Sequence, residues 1–209
     1  MPSFRYAYFH GFGSSPKAHK GQELRTRYKS RDVDLWLPDL NRPSFGRLSQ
    51  RAMLRYLEEV DGGTGPTWRI IGSSLGGWLA AAFAEKHPDR VDSLVLLCPG
   101  FGLAKRWGAI MGTDAMKAWG EKGELPIPNG AGELVPVHYG FFLEAQEMPP
   151  APRVSCPTLI IHGSRDETVP PESSRRYAGP RAHIRLIEVD DDHSLHASID
   201  AIDMASWPH

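Results

Sequence analysis

Ser74 lies in Gly72-Ser73-Ser74-Leu75-Gly76, a G-x-S-x-G pattern entered by the apolar run Trp68-Arg69-Ile70-Ile71 and left by the Ala- and Leu-rich stretch from Leu75 to Lys86. A sharp strand-to-helix turn strains the backbone of such a serine and lifts its hydroxyl above the sheet. The turn leaves little room, so its flanking positions must lack side chains. Gly72 and Gly76 meet that demand, and Gly77 extends it. The following helix also turns its first amides and the positive end of its dipole toward the hydroxyl. Outside this context the five residues would be only a Gly/Ser-rich turn capping a helix. Ser73 reads as a packed neighbour rather than as the nucleophile.

A serine hydroxyl is a poor nucleophile until a base takes its proton, and the base must be oriented by an acid. Downstream, His162-Gly163-Ser164-Arg165-Asp166-Glu167 leaves an apolar strand, and a later strand ends in Asp190-Asp191-Asp192-His193. Ser74, Asp166 and His193 therefore all follow strand ends, where open sheets place their sites. Glu167 is the rival acid and is set aside because such a loop aims one carboxylate inward. His196 is the rival base, one helical turn further on, and His162 reads as packing at its strand end. A metal site built from the acidic run with His193 and His196 matches no standard ligand spacing.

A tetrahedral oxyanion needs two preorganised amide donors. The Leu75 amide, directly after the nucleophile, is one candidate. The Phe12 amide is the other, in His10-Gly11-Phe12-Gly13-Ser14-Ser15-Pro16, where glycines on both sides allow close backbone approach. No GK[ST] follows that loop, which argues against a phosphate cradle.

The elements that must position these groups can be read from apolar periodicity. Strands are expected at Tyr6–Phe9, Val33–Leu37, Trp68–Ile71, Ser93–Cys98, Thr158–Ile161 and Ile184–Val189. Several are continuous apolar runs, as in strands covered on both faces. Helices are expected over Leu48–Val60, Leu75–Lys86, Pro170–Tyr177 and Leu195–Ala205. Strands alternating with helices predict an α/β fold: a mostly parallel sheet of about six strands with helices on both faces. Residues 1–209 read as a single domain. From Gly100 to about Arg153 no convincing strand is visible, and this stretch is expected to be a short lid insertion. Its aromatics are expected partly as its own core and partly, through Phe101, Trp107, Tyr139 and Phe141, as the wall of a substrate pocket.

Bulk properties narrow the partners. The chain has 209 residues with 24 basic against 25 acidic side chains, so no bulk basic charge asks for nucleic acid. No apolar run approaches the roughly 18 residues of a membrane span. The N-terminus lacks a secretory layout, and Cys98 and Cys156 read as reduced thiols near the core, which together predict a cytoplasmic protein.

Taken together, Tyr8 to Pro16, Leu37-Pro38-Asp39-Leu40 and Gly72 to Gly77 resemble the small bacterial esterases of the YqiA type. Gly163-Ser164-Arg165-Asp166 paired with Asp192-His193 is similar to the wider α/β-hydrolase superfamily. The likeness covers most of the chain but is silent over 100–153. It implies an α/β-hydrolase fold and a carboxylesterase acting on short acyl esters. The expected function is thus a serine hydrolase of small esters or thioesters, working without cofactor or metal. An acyl thioesterase, a lyase using the same triad as a base, and a non-catalytic receptor of this fold are the alternatives.

Overall fold

A computed structural model of the chain describes residues 3–179, 181–202 and 207. Six strands form one sheet: β1 (Phe4–Phe9), β2 (Leu35–Trp36), β3 (Thr67–Ser73), β4 (Val91–Leu97), β7 (Thr158–Gly163) and β8 (Ile184–Val189), in the order β2-β1-β3-β4-β7-β8. Every pairing is parallel. Alternate residues enter two cores. Ile70, Leu94, Leu96 and Ile160 pack on one face, while Ile71, Val95, Leu97, Leu159 and Ile161 pack on the other. Burial on both faces is why these runs lack polar alternation.

Helices α1 (His19–Lys29), α2 (Gln50–Asp61), α3 (Leu75–Lys86) and α7 (Pro171–Ala178) flank the sheet. The α3 stretch matches its expected bounds, and it is buried nearly all round because it lies between the sheet and the elements outside it. Helix α1 was not visible in the sequence. Its buried stripe is only Gly21, Leu24 and Tyr28, in an otherwise polar and glycine-interrupted segment.

Two expectations are corrected. Between β4 and β7 lie α4 (Trp107–Met111), α5 (Thr113–Lys122), α6 (Gly140–Glu147) and an antiparallel hairpin of β5 (Glu124–Pro128) and β6 (Leu134–His138). The strandless reading of 100–153 fails because prolines demote strand patterns. Here Pro126 faces Pro136 directly across the ladder. The Asn129 N–H donates to the Glu133 carbonyl and the Tyr139 N–H to the Gly123 carbonyl, so in this alternating ladder Pro126 and Pro136 form a non-hydrogen-bonded pair and neither needs to donate. Trp119, fully buried, donates its indole N–H to the Val137 carbonyl at 2.7 Å and anchors a small core under the hairpin.

The helix expected over Leu195–Ala205 is also absent in its described part. Turns lead instead to a short 3-10 helix at Ile199–Ala201, and residues 203–205 lie outside the described residues. Leu195 has a left-handed φ of 52°. The Asp192 carboxylate accepts from the Ser194 N–H at 2.7 Å and Asp191 accepts from the Ser198 N–H at 2.9 Å. Such side-chain turns compete with helix formation.

Candidate active site at the carboxyl edge of the sheet

The register levels the strand ends that precede the candidate residues: Phe9 pairs with Gly72, Ser73 with Leu97, Leu97 with Ile161, and Gly163 with Val189. Ser74 follows β3 with φ 52° and ψ −118° and leads straight into α3. This left-handed backbone is costly for a residue with a side chain, of order 1–3 kcal/mol. Surrounding contacts hold it. The Ser74 N–H donates to the Leu97 carbonyl at 2.9 Å, and its own carbonyl accepts from Gly77, Trp78 and Gly100. A Cβ on Gly72 would sit 2.5 Å from the Gly76 carbonyl oxygen, and one on Gly76 would collide with the Phe9 carbonyl. The two glycines are therefore steric requirements of the turn.

His193 lies in the loop after β8. Its Nδ1 is 2.6 Å from Asp166 Oδ2 and its Nε2 is 3.0 Å from Ser74 Oγ. The tautomer that fits donates from Nδ1 to the carboxylate and accepts the serine proton at Nε2. The second Asp166 oxygen accepts the Thr168 and Val169 N–H groups at 2.9 and 2.8 Å. Burial raises the affinity of Asp166 for a proton, but hydrogen bonds from His162 and His193, the charge of His193 and the Val169 amide outweigh it. The carboxyl is held well below its ordinary range, so it stays ionised beside the imidazole.

The rivals separate cleanly. Glu167 is exposed, and His196 is exposed with its ring 6.0 Å from that of His19. His162 does more than pack. It is fully buried with Nε2 3.2 Å from Asp166 Oδ2, and its Nδ1 lies 2.7 Å from Ser174 Oγ. Gly163 supplies a further requirement that went unread in the sequence, since a Cβ there would strike the Asp191 and Asp192 carbonyls and displace the His193 loop.

Phe12 follows β1 in a loop pinned by His10. The His10 ring, 3% exposed, accepts the Leu40 N–H at Nε2 and bonds the Gly11 carbonyl from Nδ1. Burial lowers its pKa, so it stays neutral in that role. A Cβ on Gly11 would come within 3.2 Å of Ser74 Cβ, which places this loop against the Ser74 turn. Leu75 opens α3, where the first N–H groups have no partner within the helix.

Two recesses lie at the Ser74 turn, one with its neighbour Leu75 in the wall and the other with Ser74 itself. One is apolar and is lined by Phe12, Leu75, Trp78, Trp107, Phe141 and Met148 among others. The other is an open cleft lined by Tyr8, Lys20, Ser73, Ser74, His193 and His196 among others. Lys20 Nζ lies 3.4 Å from Ser73 Oγ, and burial lowers its pKa against the pull of nearby acidic groups. Of the four aromatics expected in the pocket, Trp107 and Phe141 line the apolar recess. Phe101 instead stacks on Tyr177 with ring centres 4.0 Å apart, and Tyr139 packs against Trp119 and Phe142. Trp78 and Gln50 line the recess without having been expected there. Trp78 was hidden in a helix that is apolar all round, and Gln50 in an amphipathic one.

Cys98, Asp166 and His193 bring ligand atoms within 4.8 Å of one another. The set suits a metal poorly. Asp166 and His193 are hydrogen-bonded to each other, and burial pushes the Cys98 thiol up to about 12, so it remains protonated. Cys98 and Cys156 are both free and buried. Among the described residues no helix is long and apolar enough to cross a membrane.

Known proteins agree with this architecture. The chain is 32% identical over 130 residues to mouse mitochondrial palmitoyl-protein thioesterase ABHD10, covering 59% of this chain and 41% of that protein. It is 28% identical over 137 residues to the pimeloyl-[acyl-carrier protein] methyl ester esterase of Chromobacterium violaceum, 49% of this chain and 53% of the relative. The chain thus spans only about half the length of these relatives, or less. The mouse ABHD10 structure superposes with a TM-score of 0.73 at 23% identity, covering 94% of this chain and 85% of that one. Est1E from Butyrivibrio proteoclasticus, with ferulic acid bound, does so with a TM-score of 0.77 at 18% identity, over 96% and 85% of the two chains. A single family accounts for residues 5–205, and on that match this α/β-hydrolase-fold chain belongs to the Uncharacterised protein family UPF0227.

Proposed function

We propose that the protein is a serine carboxylesterase that cleaves short-chain or small aromatic carboxylic esters. The observation that carries this reading is the unbroken line from Ser74 Oγ through His193 to a buried, ionised Asp166, opening beside an apolar recess. Ser74 Oγ attacks the ester carbonyl while His193 Nε2 takes its proton, and the Phe12 and Leu75 amides receive the charge on the carbonyl oxygen. The tetrahedral adduct collapses as His193 returns the proton to the departing alcohol. Water, deprotonated by His193, then attacks the acyl-enzyme, and collapse releases the acid and restores the serine. Asp166 holds the imidazole in its working tautomer and stabilises the imidazolium.

Esterase and thioesterase names among the relatives support ester-bond chemistry of this kind. The apolar recess takes the acyl group, and the segment over 100–153 acts as a lid on a single domain by supplying Trp107 and Phe141. Burial adds about 0.8 kcal/mol per CH₂, so kcat/KM climbs over the first few acyl carbons until the recess is full. An acyl thioesterase is the second reading, favoured by the mouse relative's name.

A fluorophosphonate probe is expected to label Ser74. A series of p-nitrophenyl esters from acetate to palmitate, run beside acyl thioesters, is expected to peak between acetyl and hexanoyl. Absence of Ser74 labelling overturns the reading. A rate still rising past decanoate overturns the short-acyl assignment, and a clear preference for thioesters selects the second reading.

A further inference from the structure

The segment between β4 and β7 holds the Phe12 loop at two separate places. One is aromatic. The Phe12 ring stacks on Phe141 of α6 with centres 5.4 Å apart and stands edge-on to Trp107 of α4 at 5.1 Å. The other lies outside the apolar recess, at the turn between β5 and β6. A Cβ on Gly130 would sit 2.9 Å from the Ser14 carbonyl carbon and from Ser15 Cβ, and 3.0 Å from the Ser15 nitrogen. Gly13 meets the same hairpin, since a Cβ there would lie 3.4 Å from the Pro128 carbonyl oxygen.

The turn contains two glycines for different reasons. Gly132 has a φ of 82° with open space around it, so its backbone conformation calls for glycine. Gly130 does not adopt the left-handed backbone, and what its position calls for is room against the Phe12 loop. Neither side yields cheaply to an added group. The Asn129 N–H donates to the Glu133 carbonyl at 2.9 Å, and the Asn129 side-chain oxygen accepts the Ala131 and Glu133 N–H groups at 2.8 and 3.0 Å. The far end of the hairpin rests on the 3-10 turn Phe45–Arg47, where a Cβ on Gly46 would be 2.9 Å from the Pro136 carbonyl oxygen. On the loop side, the Ser14 carbonyl accepts from Asn41 Nδ2 at 3.2 Å and the Ser15 carbonyl from the Ala18 N–H at 3.0 Å. The compliant link is Gly13, with a φ of 66°, and the next residue back is Phe12.

We propose that Gly130 is a positioning residue for ester hydrolysis: the β5–β6 turn braces the Phe12 loop, and the room left at Gly130 sets where the Phe12 amide stands beside the Leu75 amide. The inference rests on the esterase reading above and on Phe12 as one of its oxyanion donors. It gives the segment over 100–153 a second task. Trp107 and Phe141 wall the acyl site, whereas the hairpin turn fixes a donor that acts on every ester whatever its acyl chain. Crowding at Gly130 therefore weakens stabilisation of the tetrahedral adduct and leaves binding of the planar substrate as it was.

The experiment compares the full chain with Gly130→Ala, Gly130→Val and, as a control at the next and exposed position of the turn, Ala131→Val. Each is assayed on p-nitrophenyl acetate and hexanoate, and for inhibition by pentylboronic acid, which forms a tetrahedral adduct with a serine, and by hexanamide, which stays planar. In the Gly130 variants kcat is expected to fall by the same factor for both esters, on the order of tenfold for alanine and up to 10²-fold for valine. KM and hexanamide inhibition are expected to stay within about twofold, while inhibition by the boronic acid weakens in step with kcat. If Gly130→Val does not fold, Gly130→Ala decides alone. Undiminished kcat in the folded Gly130 variants overturns the brace and leaves the esterase reading standing. So does a loss confined to hexanoate, an equal loss in Ala131→Val, or hexanamide inhibition that weakens as much as that by the boronic acid. No hydrolysis of either ester by the unaltered chain overturns the esterase reading, and this inference falls with it.

Discussion

Two buried aspartates sit at opposite edges of the same sheet, and their differences separate architecture from chemistry. Asp61 and Asp166 are 6% and 4% exposed, and both are held below the ordinary carboxyl pKa although burial alone would raise it. Asp61 meets Arg90 at 2.9 Å, Arg5 at 2.5 Å and the Trp68 indole N–H at 2.8 Å. Those partners stand at or just before the starts of β1, β3 and β4, so one carboxylate ties three strand beginnings together. Its cations are arginines, which keep their charge at any physiological pH. Asp166 is held by two backbone amides and two imidazoles, and one imidazole passes the interaction on to Ser74. The same buried charge has only partners of fixed charge in one place and, in the other, a partner able to take up and release a proton, as the proposed mechanism requires.

Substitutions should pull this contrast apart. The largest effect is expected for Ser74→Ala, which should lower kcat for ester hydrolysis on the order of 10⁶-fold while leaving the melting temperature nearly unchanged. Near-normal turnover by the folded variant would remove the site from this edge of the sheet. Next comes Asp166→Asn, expected to lose roughly 10³- to 10⁴-fold in kcat because the imidazole is then held in the wrong tautomer. Glu167→Gln should do little, and a larger loss there would reverse the choice of acid.

Asp61→Asn should show the opposite signature. Activity per folded molecule is expected to hold, while stability falls by about 2 kcal/mol, since charged hydrogen bonds are lost around partly exposed arginines. Thermal melts should register this as a drop of roughly 5 °C. A kcat loss without a melting shift would contradict the structural role.

The smallest effect concerns acid. The folded-state pKa of Asp61 lies below its ordinary value of 3.8, so the ion cluster contributes stability above that value and loses it as pH falls through the folded pKa. Asp166 acts in the same direction. Melting temperatures should therefore decline below about pH 4, and Asp61→Asn should flatten the decline. An equal slope in both proteins would mean that other carboxylates carry the acid sensitivity.

The sequence by itself determined the elements whose signal is local. The buried runs of β3, β4, β7 and β8 announce themselves because both faces are covered, and α3 is bounded by the glycine-rich turn and by His87-Pro88. Ser74, Asp166 and His193 were legible because each follows a strand end, and a parallel sheet brings strand ends to one edge whatever the loops between them do. Only the tertiary structure decided the rest. The hairpin of β5 and β6 was masked by prolines whose missing N–H groups matter only once a partner strand sets the register. His162 became a support for Asp166, and Gly163 a steric requirement, through contacts with residues that are distant in the chain. The recess was the least legible part. Phe101 and Tyr139 turn to other aromatics while Trp78 and Gln50 reach it, because a pocket is a space between elements and no single element's periodicity encodes which side chains will face it.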